Sequence, residues 1–369
     1  MQITAAVVHE PGGAFQLESV SLEGPRPGEV LVKIAAVGLC HTDLAARQGH
    51  LPFPSPGVFG HEGAGTVVAV GKGVTRVSEG DAVVLTFNSC GGCGPCAAKA
   101  PAYCQGFRPL NLGGRRVGDG SSALSLDGRP VGAHFFGQSS FATHAVADER
   151  TVVKVGSGID PVVAAPLGCG VQTGAGAVLN SMDCRPGASL LVLGGGSVGL
   201  SAVLAAGVRS LSTVIVVDPL PQRRDLALRL GATHALDPAD GPLVEQVRGV
   251  LAEGVDYAFD TTGNVDVLEA GLASLAQRGT LGVVGVPSDP KAVLPVSLLG
   301  LQRVGATVRG IVEGDSDPET FIPELVALHA EGRLPFDRLI TTRPFAEVNE
   351  AVSAQARGEG VKFVLTLPV

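Results

Sequence analysis

The chain has 369 residues, 45% of them hydrophobic, enough for a sizeable core and too many for one ordinary domain. A net charge of −8 excludes the basic footprint of a nucleic-acid binder, and no apolar run reaches the ~18 residues of a membrane helix. The 52 glycines and 25 prolines point to many turns rather than disorder, because apolar runs continue between them. The first residues, Met1-Gln-Ile-Thr-Ala-Ala-Val-Val-His9, have no basic region followed by an apolar one and read as a strand, not a signal peptide. With seven cysteines and one cluster among them, the expected compartment is reducing and cytoplasmic, where thiols bind metal rather than pair.

Residues 1 to 36 alternate short apolar runs (Ala5 to Val8, Phe15 to Val20, Val30 to Ala36) with turns such as Pro25-Arg-Pro-Gly-Glu29, a hairpin-like β pattern. Val37-Gly-Leu-Cys-His-Thr-Asp43 follows, and Asp43 to Arg47 begins a short helix. A Pro-rich loop from Leu51 to Gly57 leads to Phe59-Gly-His-Glu-Gly63, then to β pattern over Gly65 to Val70 and Asp81 to Phe87. The lobe Cys90-Gly-Gly-Cys-Gly-Pro-Cys96, closed by Cys104, interrupts this region, and Gly106 to Gly132 reads as a long polar loop. Strand-like pattern returns from Phe135 to Val146. None of this has a βαβ rhythm, so the first ~150 residues predict a mostly β domain.

From about residue 171 strands alternate with helices. Strands are expected at Leu190–Leu193, Val214–Val217, Val255–Phe259, Thr280–Val284 and Ala306–Ile311, with helices at Pro221–Leu230 and Val265–Leu275 between them. That rhythm predicts a doubly wound parallel sheet. The tail carries a helix over Ile322–Glu331, another over Phe345–Gln355 and a last strand over Lys362–Leu367.

Within the second region, Leu190 to Leu193 leads into glycines 194, 196 and 199, a G-x-G-x-x-G followed by an apolar helix. Gly194 permits the tight turn, Gly196 lets backbone approach a pyrophosphate, and Gly199 lets helix pack on strand. The helix N-terminus then faces the phosphates with free N–H groups. Val214 to Val217 forms the next strand and ends at Asp218, 19 residues beyond Gly199, where a carboxylate meets the ribose hydroxyls. A dinucleotide is the expected ligand, and Asp218 favours NAD over NADP.

Cys90, Cys93, Cys96 and Cys104 stand as C-x₂-C-x₂-C-x₇-C, a set that closes a tetrahedral shell around structural zinc. Disulfides and an iron–sulfur cluster are the other readings of four cysteines. Cys40, Cys169 and Cys184 remain outside the lobe, with His61-Glu62 between glycines. Spacing alone does not join Cys40, His61 and Cys169. If joined, they make a Cys₂His site with one open position, a Lewis acid able to hold an alcohol as its alkoxide. Cys184 has no polar ligand neighbours and reads as structural.

On these motifs the chain resembles the zinc-containing medium-chain alcohol dehydrogenases, with matches from Cys40 to Lys362. Gly168-Cys-Gly-Val-Gln-Thr-Gly-Ala-Gly-Ala177 and Phe136-Gly-Gln-Ser-Ser-Phe-Ala142 are most similar to the benzyl (aryl) alcohol dehydrogenase group. The resemblance implies an α/β protein: a mostly-β, GroES-like catalytic domain over 1–170 and 312–369, its zinc lobe at 90–104, and a Rossmann domain over 171–311. It implies Cys40, His61 and Cys169 as catalytic zinc ligands, Asp43 as the carboxylate orienting the zinc histidine, and Glu62 as an acid assisting ligand exchange. Thr42 then takes the alcohol proton, while His41 and Lys362 contact the pyrophosphate. Thr173 and Val198 pack against the nicotinamide, and Arg223 contacts the adenosine ribose. One departure stands out: Ala45 occupies the position where many relatives carry a histidine relaying the proton to solvent, leaving the ribose hydroxyl, water or His50 as the exit.

The expected activity is NAD-dependent, reversible oxidation of a primary alcohol to its aldehyde, with two zinc ions per chain and an aromatic or bulky apolar substrate such as a terpenol. One alternative is a thiol-adduct formaldehyde dehydrogenase of the same superfamily, with Arg115 and Arg116 holding the thiol cofactor. The other is a non-catalytic protein that kept the fold, against which the intact ligand set and Thr42 argue. The expected partners are small alcohols and aldehydes, with neither nucleic acid nor membrane. The apolar strands Thr280–Val284 and Ala306–Ile311 end the Rossmann sheet and predict a homodimer or homotetramer paired through that edge.

Overall fold

β-Branched residues at Val30, Val32 and Ile34 are buried to 1% exposure or less and anchor the strand Glu29–Gly38, the organiser of the N-terminal sheets. The computed structural model describes residues 1–368. They form two compact units: Met1–Gln172 with Asp317–Ala327 and the segment from Asp337 onward, and Thr173–Ser316 with Leu328–Phe336.

The first unit holds two sheets. A five-stranded sheet runs in the order Gly57–Val58, Gln2–Val8, Gln16–Leu22, Leu124–Leu126, Arg129–Pro130. A seven-stranded sheet runs Val152–Lys154, Ala82–Leu85, Gly63–Val70, Glu29–Gly38, Lys362–Thr366, Ile340–Pro344, with His144–Asp148 also pairing Glu29–Gly38. Two registers in the second sheet matter most. Val37 lies opposite Gly63, and Gly38 lies opposite Val364. The segments around Cys40, His61 and Lys362, distant in sequence, therefore leave the sheet side by side.

The second unit is a six-stranded, all-parallel sheet in the order His234–Leu236, Thr213–Val217, Ser189–Leu193, Val255–Asp260, Leu275–Val283, Thr307–Gly310. Strand order reverses beside Ser189–Leu193, which makes a ligand crevice at the carboxyl ends of the strands. Leu191, Leu193, Ile215, Val255 and Leu281 fill the sheet core with 0% exposure. The helices Ser197–Val208, Pro221–Arg229 and Val265–Ala273 connect the strands.

Three expectations need correction. The segment from Gly106 to Gly132 is not one loop. It carries a helix, Phe107–Leu112, and the hairpin Leu124–Leu126/Arg129–Pro130. Asn111 secures the helix by donating to Asn88 O (2.9 Å) and Phe107 O (2.8 Å), and Arg116 ties the following turn to Glu29 (3.0 Å). Side-chain hydrogen bonds order this stretch, so no apolar periodicity announces it. Leu328–Phe336 belongs with the second unit rather than the first, where Leu334 and Phe336 are fully buried. The strand His234–Leu236 and helix Leu243–Val250 also go beyond the expected elements.

Candidate active site

Asp43 organises the first constellation. It lies in the first turn of the helix His41–Arg47 and is fully buried. Its carboxylate accepts the Cys40 amide (3.0 Å), the Gly60 amide (3.0 Å) and a hydrogen bond from His61 Nδ1 (2.8 Å). One side chain thus fixes both segments and the imidazole. His61 Nε2 is left buried without a partner. Ligand atoms of Cys40, His61, Glu62 and Cys169 lie within 4.8 Å of one another. An orphaned imidazole nitrogen facing two thiols and a carboxylate is the donor chemistry of a zinc site, and a buried polar atom without a partner is otherwise costly.

The electrostatics agree. The Cys40 thiol is held well below its usual range, first by a hydrogen bond with Cys169 and, against burial, by the nearby His61 ring. Burial pushes His61 down, but Asp43 and then Cys40 carry it well above its ordinary value. Thr42 Oγ1 lies 3.8 Å from Cys40 Sγ, so its hydroxyl borders the ligand cluster. Glu62 is fully buried; Gly170 N–H donates to its Oε1 (3.1 Å), and Lys362 Nζ donates to both oxygens at 2.8 and 2.9 Å. Burial raises the Glu62 carboxyl, with Lys362 opposing. The Lys362 ammonium is itself raised, because Glu62 and Cys40 outweigh its burial. The structure gives Lys362 a partner of its own. It is 2% exposed and bonded to Glu62 and Leu39 O (3.3 Å), the buried counter-ion of Glu62. His41, by contrast, is exposed at the start of its helix.

In the sulfur lobe Cys93 and Cys96 are 3.4 Å apart, Cys90 and Cys96 4.0 Å, and Cys93 and Cys104 4.0 Å. A tetrahedron of thiolates around zinc, with bonds of about 2.3 Å, has edges of about 3.8 Å. The amides of Cys90 (3.2 Å) and Gly106 (3.3 Å) donate to Cys104 Sγ, and N–H donors to Cys93 bring its thiol down to about 6. All seven cysteines are free thiols, so the disulfide reading of the lobe fails. Cys184 is fully buried, and burial pushes its thiol up to about 12, as a structural cysteine requires.

In the second unit the glycine turn joins Ser189–Leu193 to the helix Ser197–Val208. Gly194 has φ +101°, and a Cβ on Gly199 would collide with the Gly194 carbonyl. Beside Gly196 there is open space, and the helix has no side-chain cap. Ser197 Oγ is buried without a partner at the same spot. Open approach, an uncapped N-terminus and an orphaned hydroxyl fit a bound pyrophosphate. Asp218, 2% exposed, accepts the amides of Gly195 (2.8 Å) and Leu220 (2.9 Å), one on each oxygen, and keeps lone pairs for ribose hydroxyls. Arg223 lies 3.5 Å from that carboxylate. Arg224 is engaged elsewhere, with Asp237 (2.8 Å) and Asp218 O (2.7 Å). Thr173 is buried and its hydroxyl donates to Glu313 (3.2 Å), while Val198 is half-buried in the first turn of the helix.

Of the two cations of the thiol-adduct alternative, Arg115 has a single long bond, to Val131 O at 3.4 Å. Arg116 is 10% exposed and spent on Glu29 and Glu23. Two groups of residues escaped the sequence reading. Phe136 stacks on His61 (centroids 4.6 Å, planes 29° apart), with Phe135 edge-on to the same ring at 5.6 Å. Gln138, Thr86 and Gln172 are two buried amides and a buried hydroxyl without a periodic signal, and the stretch 136–142 stands out in the sequence only by its resemblance.

Two family models match the chain: an alcohol dehydrogenase GroES-like domain over residues 26–157 and a zinc-binding dehydrogenase domain over 197–331. A geraniol dehydrogenase of Castellaniella defragrans is 49% identical over 362 residues, covering 98% of this chain and 96% of the relative. A benzyl alcohol dehydrogenase structure from Acinetobacter calcoaceticus superposes with a TM-score of 0.96 at 39% identity, covering 100% of both chains. An alcohol dehydrogenase zinc-binding domain protein from Burkholderia ambifaria gives a TM-score of 0.97 at 46% identity, again covering both chains fully.

Proposed function

The chain belongs to the zinc-binding, GroES-like alcohol dehydrogenase family, and from that membership we propose that it oxidises bulky apolar primary alcohols of the terpenol and benzyl type, reversibly and with NAD. Zinc supplies Lewis acidity when bound, and the dinucleotide supplies the hydride acceptor. Cys40, His61 and Cys169 would hold the catalytic ion, and Cys90, Cys93, Cys96 and Cys104 would hold a second, structural one. Asp43 fixes the His61 tautomer so that Nε2 is the ligand nitrogen. Thr42 Oγ1 receives the alcohol proton beside Cys40. Onward, Ala45 offers no group for the proton, so its exit falls to water or to exposed His50. Glu62, neutralised by Lys362, adds little net charge to the site. Asp218 binds the adenosine ribose and disfavours a 2′-phosphate.

The observation that carries the substrate class is the Phe136 ring lying against His61, with Phe107 edge-on to Phe136 at 6.2 Å. An aromatic wall beside the metal ligand gains from burying apolar substrate and offers hydroxylated chains nothing. Phe136→Ala tests it. Loss of about 2 kcal/mol of apolar contact lowers kcat/KM for a terpenol or benzyl alcohol about 30-fold and leaves ethanol nearly unchanged. Equal losses for both alcohols would remove Phe136 from the substrate pocket. The same reading puts the enzyme in the cytoplasm as a homodimer or tetramer. The edge strand Thr307–Gly310 is exposed along its length, with Leu298 (83%) and Leu299 (55%) exposed on the preceding helix.

A further inference from the structure

Gln138 is 2% exposed and makes three hydrogen bonds with backbone. Its Nε2 donates to His61 O (2.9 Å) and Thr86 O (3.1 Å), and its Oε1 accepts Gly63 N–H (3.2 Å). The amide therefore grips the peptide before Glu62 and the one after it. Four residues around it, His134, Phe136, Gly137 and Ser139, have positive φ, a backbone path that brings Phe136 onto His61 and turns Gln138 behind it.

Thr86 continues the chain of contacts. Its hydroxyl donates to Gly168 O (2.7 Å) and accepts from Gln172 Nε2 (2.7 Å), which also reaches Gly168 O (2.6 Å). The Gly168 carbonyl belongs to the peptide that enters Cys169. Thr86 and Gln172 are fully buried. Thr86 is also pinned through its own amide to Thr151 O (2.9 Å), in register with the sheet. Asp43 ties Cys40 to His61 from one side, but it makes none of these bonds to the Cys169 segment.

We infer that Gln138, Thr86 and Gln172 form a positioning relay that sets the distance between the His61–Glu62 segment and Cys169, so that the metal site is assembled before metal enters. The inference rests on Cys40, His61 and Cys169 being the catalytic metal ligands. The relay touches neither substrate nor cofactor. It acts through the backbone on which the ligands ride, and polar groups buried this deeply cost heavily if any bond is left unmade. Outer-shell partners of metal ligands typically change affinity 10–100-fold when removed.

Thr86→Val is the sharpest test, because it keeps shape and removes only the hydroxyl. Zinc release to a chelator, recorded on the purified holoenzyme with a colorimetric reporter, is biphasic if the two sites differ. The catalytic-site zinc should be lost at least about tenfold more readily in Thr86→Val, while release from the Cys90–Cys104 lobe is unchanged and certifies the fold. Cobalt placed in the catalytic site should show altered visible absorption. kcat should fall with KM little moved. Thr86→Ser should restore metal retention, spectrum and kcat, a rescue that mere loss of packing would not allow. Gln138→Met should shift the same readouts. Wild-type retention and cobalt spectrum in Thr86→Val, or a Thr86→Ser variant as weak as Thr86→Val, would overturn the relay. Neither readout depends on which alcohol the enzyme prefers, so the substrate class stands or falls separately.

Discussion

Replacing Asp218 with Asn removes one charge at the proposed ribose end of the dinucleotide site and keeps the side chain's shape. NADP places a phosphate of charge near −2 where the carboxylate stands, and unit charges at ~4 Å repel by about 4 kcal/mol at an effective dielectric of 20. Arg223, 3.5 Å from Asp218 Oδ2, offsets part of that, while Arg224 is held by Asp237 and the Asp218 carbonyl. After that offset the wild type should still prefer NAD by at least about tenfold, equivalent to 1.4 kcal/mol. In Asp218→Asn the repulsion is gone and Arg223 is freed, so kcat/KM with NADP should rise about tenfold or more. The substitution also has a cost for NAD. Two amides, of Gly195 and Leu220, divide between the carboxylate oxygens, and an asparagine has one acceptor for them. NAD should therefore weaken a few-fold through the turn. Initial rates with both cofactors at one saturating alcohol, with NADH and NADPH fluorescence titrations alongside, separate the two effects. A wild type preferring NADP, or an unchanged ratio in Asp218→Asn, would refute the assignment of Asp218.

Cys40→Ala should abolish turnover and leave a folded protein with about one zinc, whereas Cys96→Ala should lower the unfolding temperature first, both read by metal analysis and thermal scans. Lys362→Met strands the fully buried Glu62 carboxylate and should cost about 3–5 kcal/mol in denaturant unfolding, with Glu62→Gln/Lys362→Met recovering most of it; a cost below about 1 kcal/mol would deny the pair its structural weight. Burial lowers His134 from 6.5 to about 4, so the unfolded chain binds the extra proton between those values and stability falls as pH drops from 6.5 through 4. At about 1.4 kcal/mol per pH unit this is about 3 kcal/mol, and His134→Gln should flatten the pH–stability curve in that window. Sedimentation of micromolar enzyme should give dimer or tetramer; monomer alone would contradict pairing through Thr307–Gly310.

The glycine turn and sulfur lobe were legible because their chemistry lies in local spacing: the turn needs glycines at 194, 196 and 199, and the lobe's four sulfurs fall within 14 residues of one another. Cys40, His61 and Cys169 required the resemblance. What joins the first two is the pairing of Val37 with Gly63, a register that spacing does not encode. The pairing of Lys362 with Glu62 is hidden for the same reason. A lone late lysine shows its partner only once Gly38 is seen opposite Val364 and Glu62 is found 2.8 Å away. Gln138, Thr86 and Gln172 have no periodic signature, and only burial identifies them. The turn around Arg116 is held by salt bridges to Glu23 and Glu29, some ninety residues back, a separation that no local pattern reveals.

The central claim is that Cys40, His61 and Cys169 serve the oxidation of bulky apolar primary alcohols. Its most direct test is one panel of kcat/KM values on the zinc-loaded enzyme with NAD: a terpenol, a benzyl alcohol, ethanol and a thiol–formaldehyde adduct. The account predicts that the first two exceed ethanol by at least about tenfold, as apolar burial worth 1.4 kcal/mol requires, with no turnover of the adduct. A preference for ethanol or for the thiol adduct would contradict it.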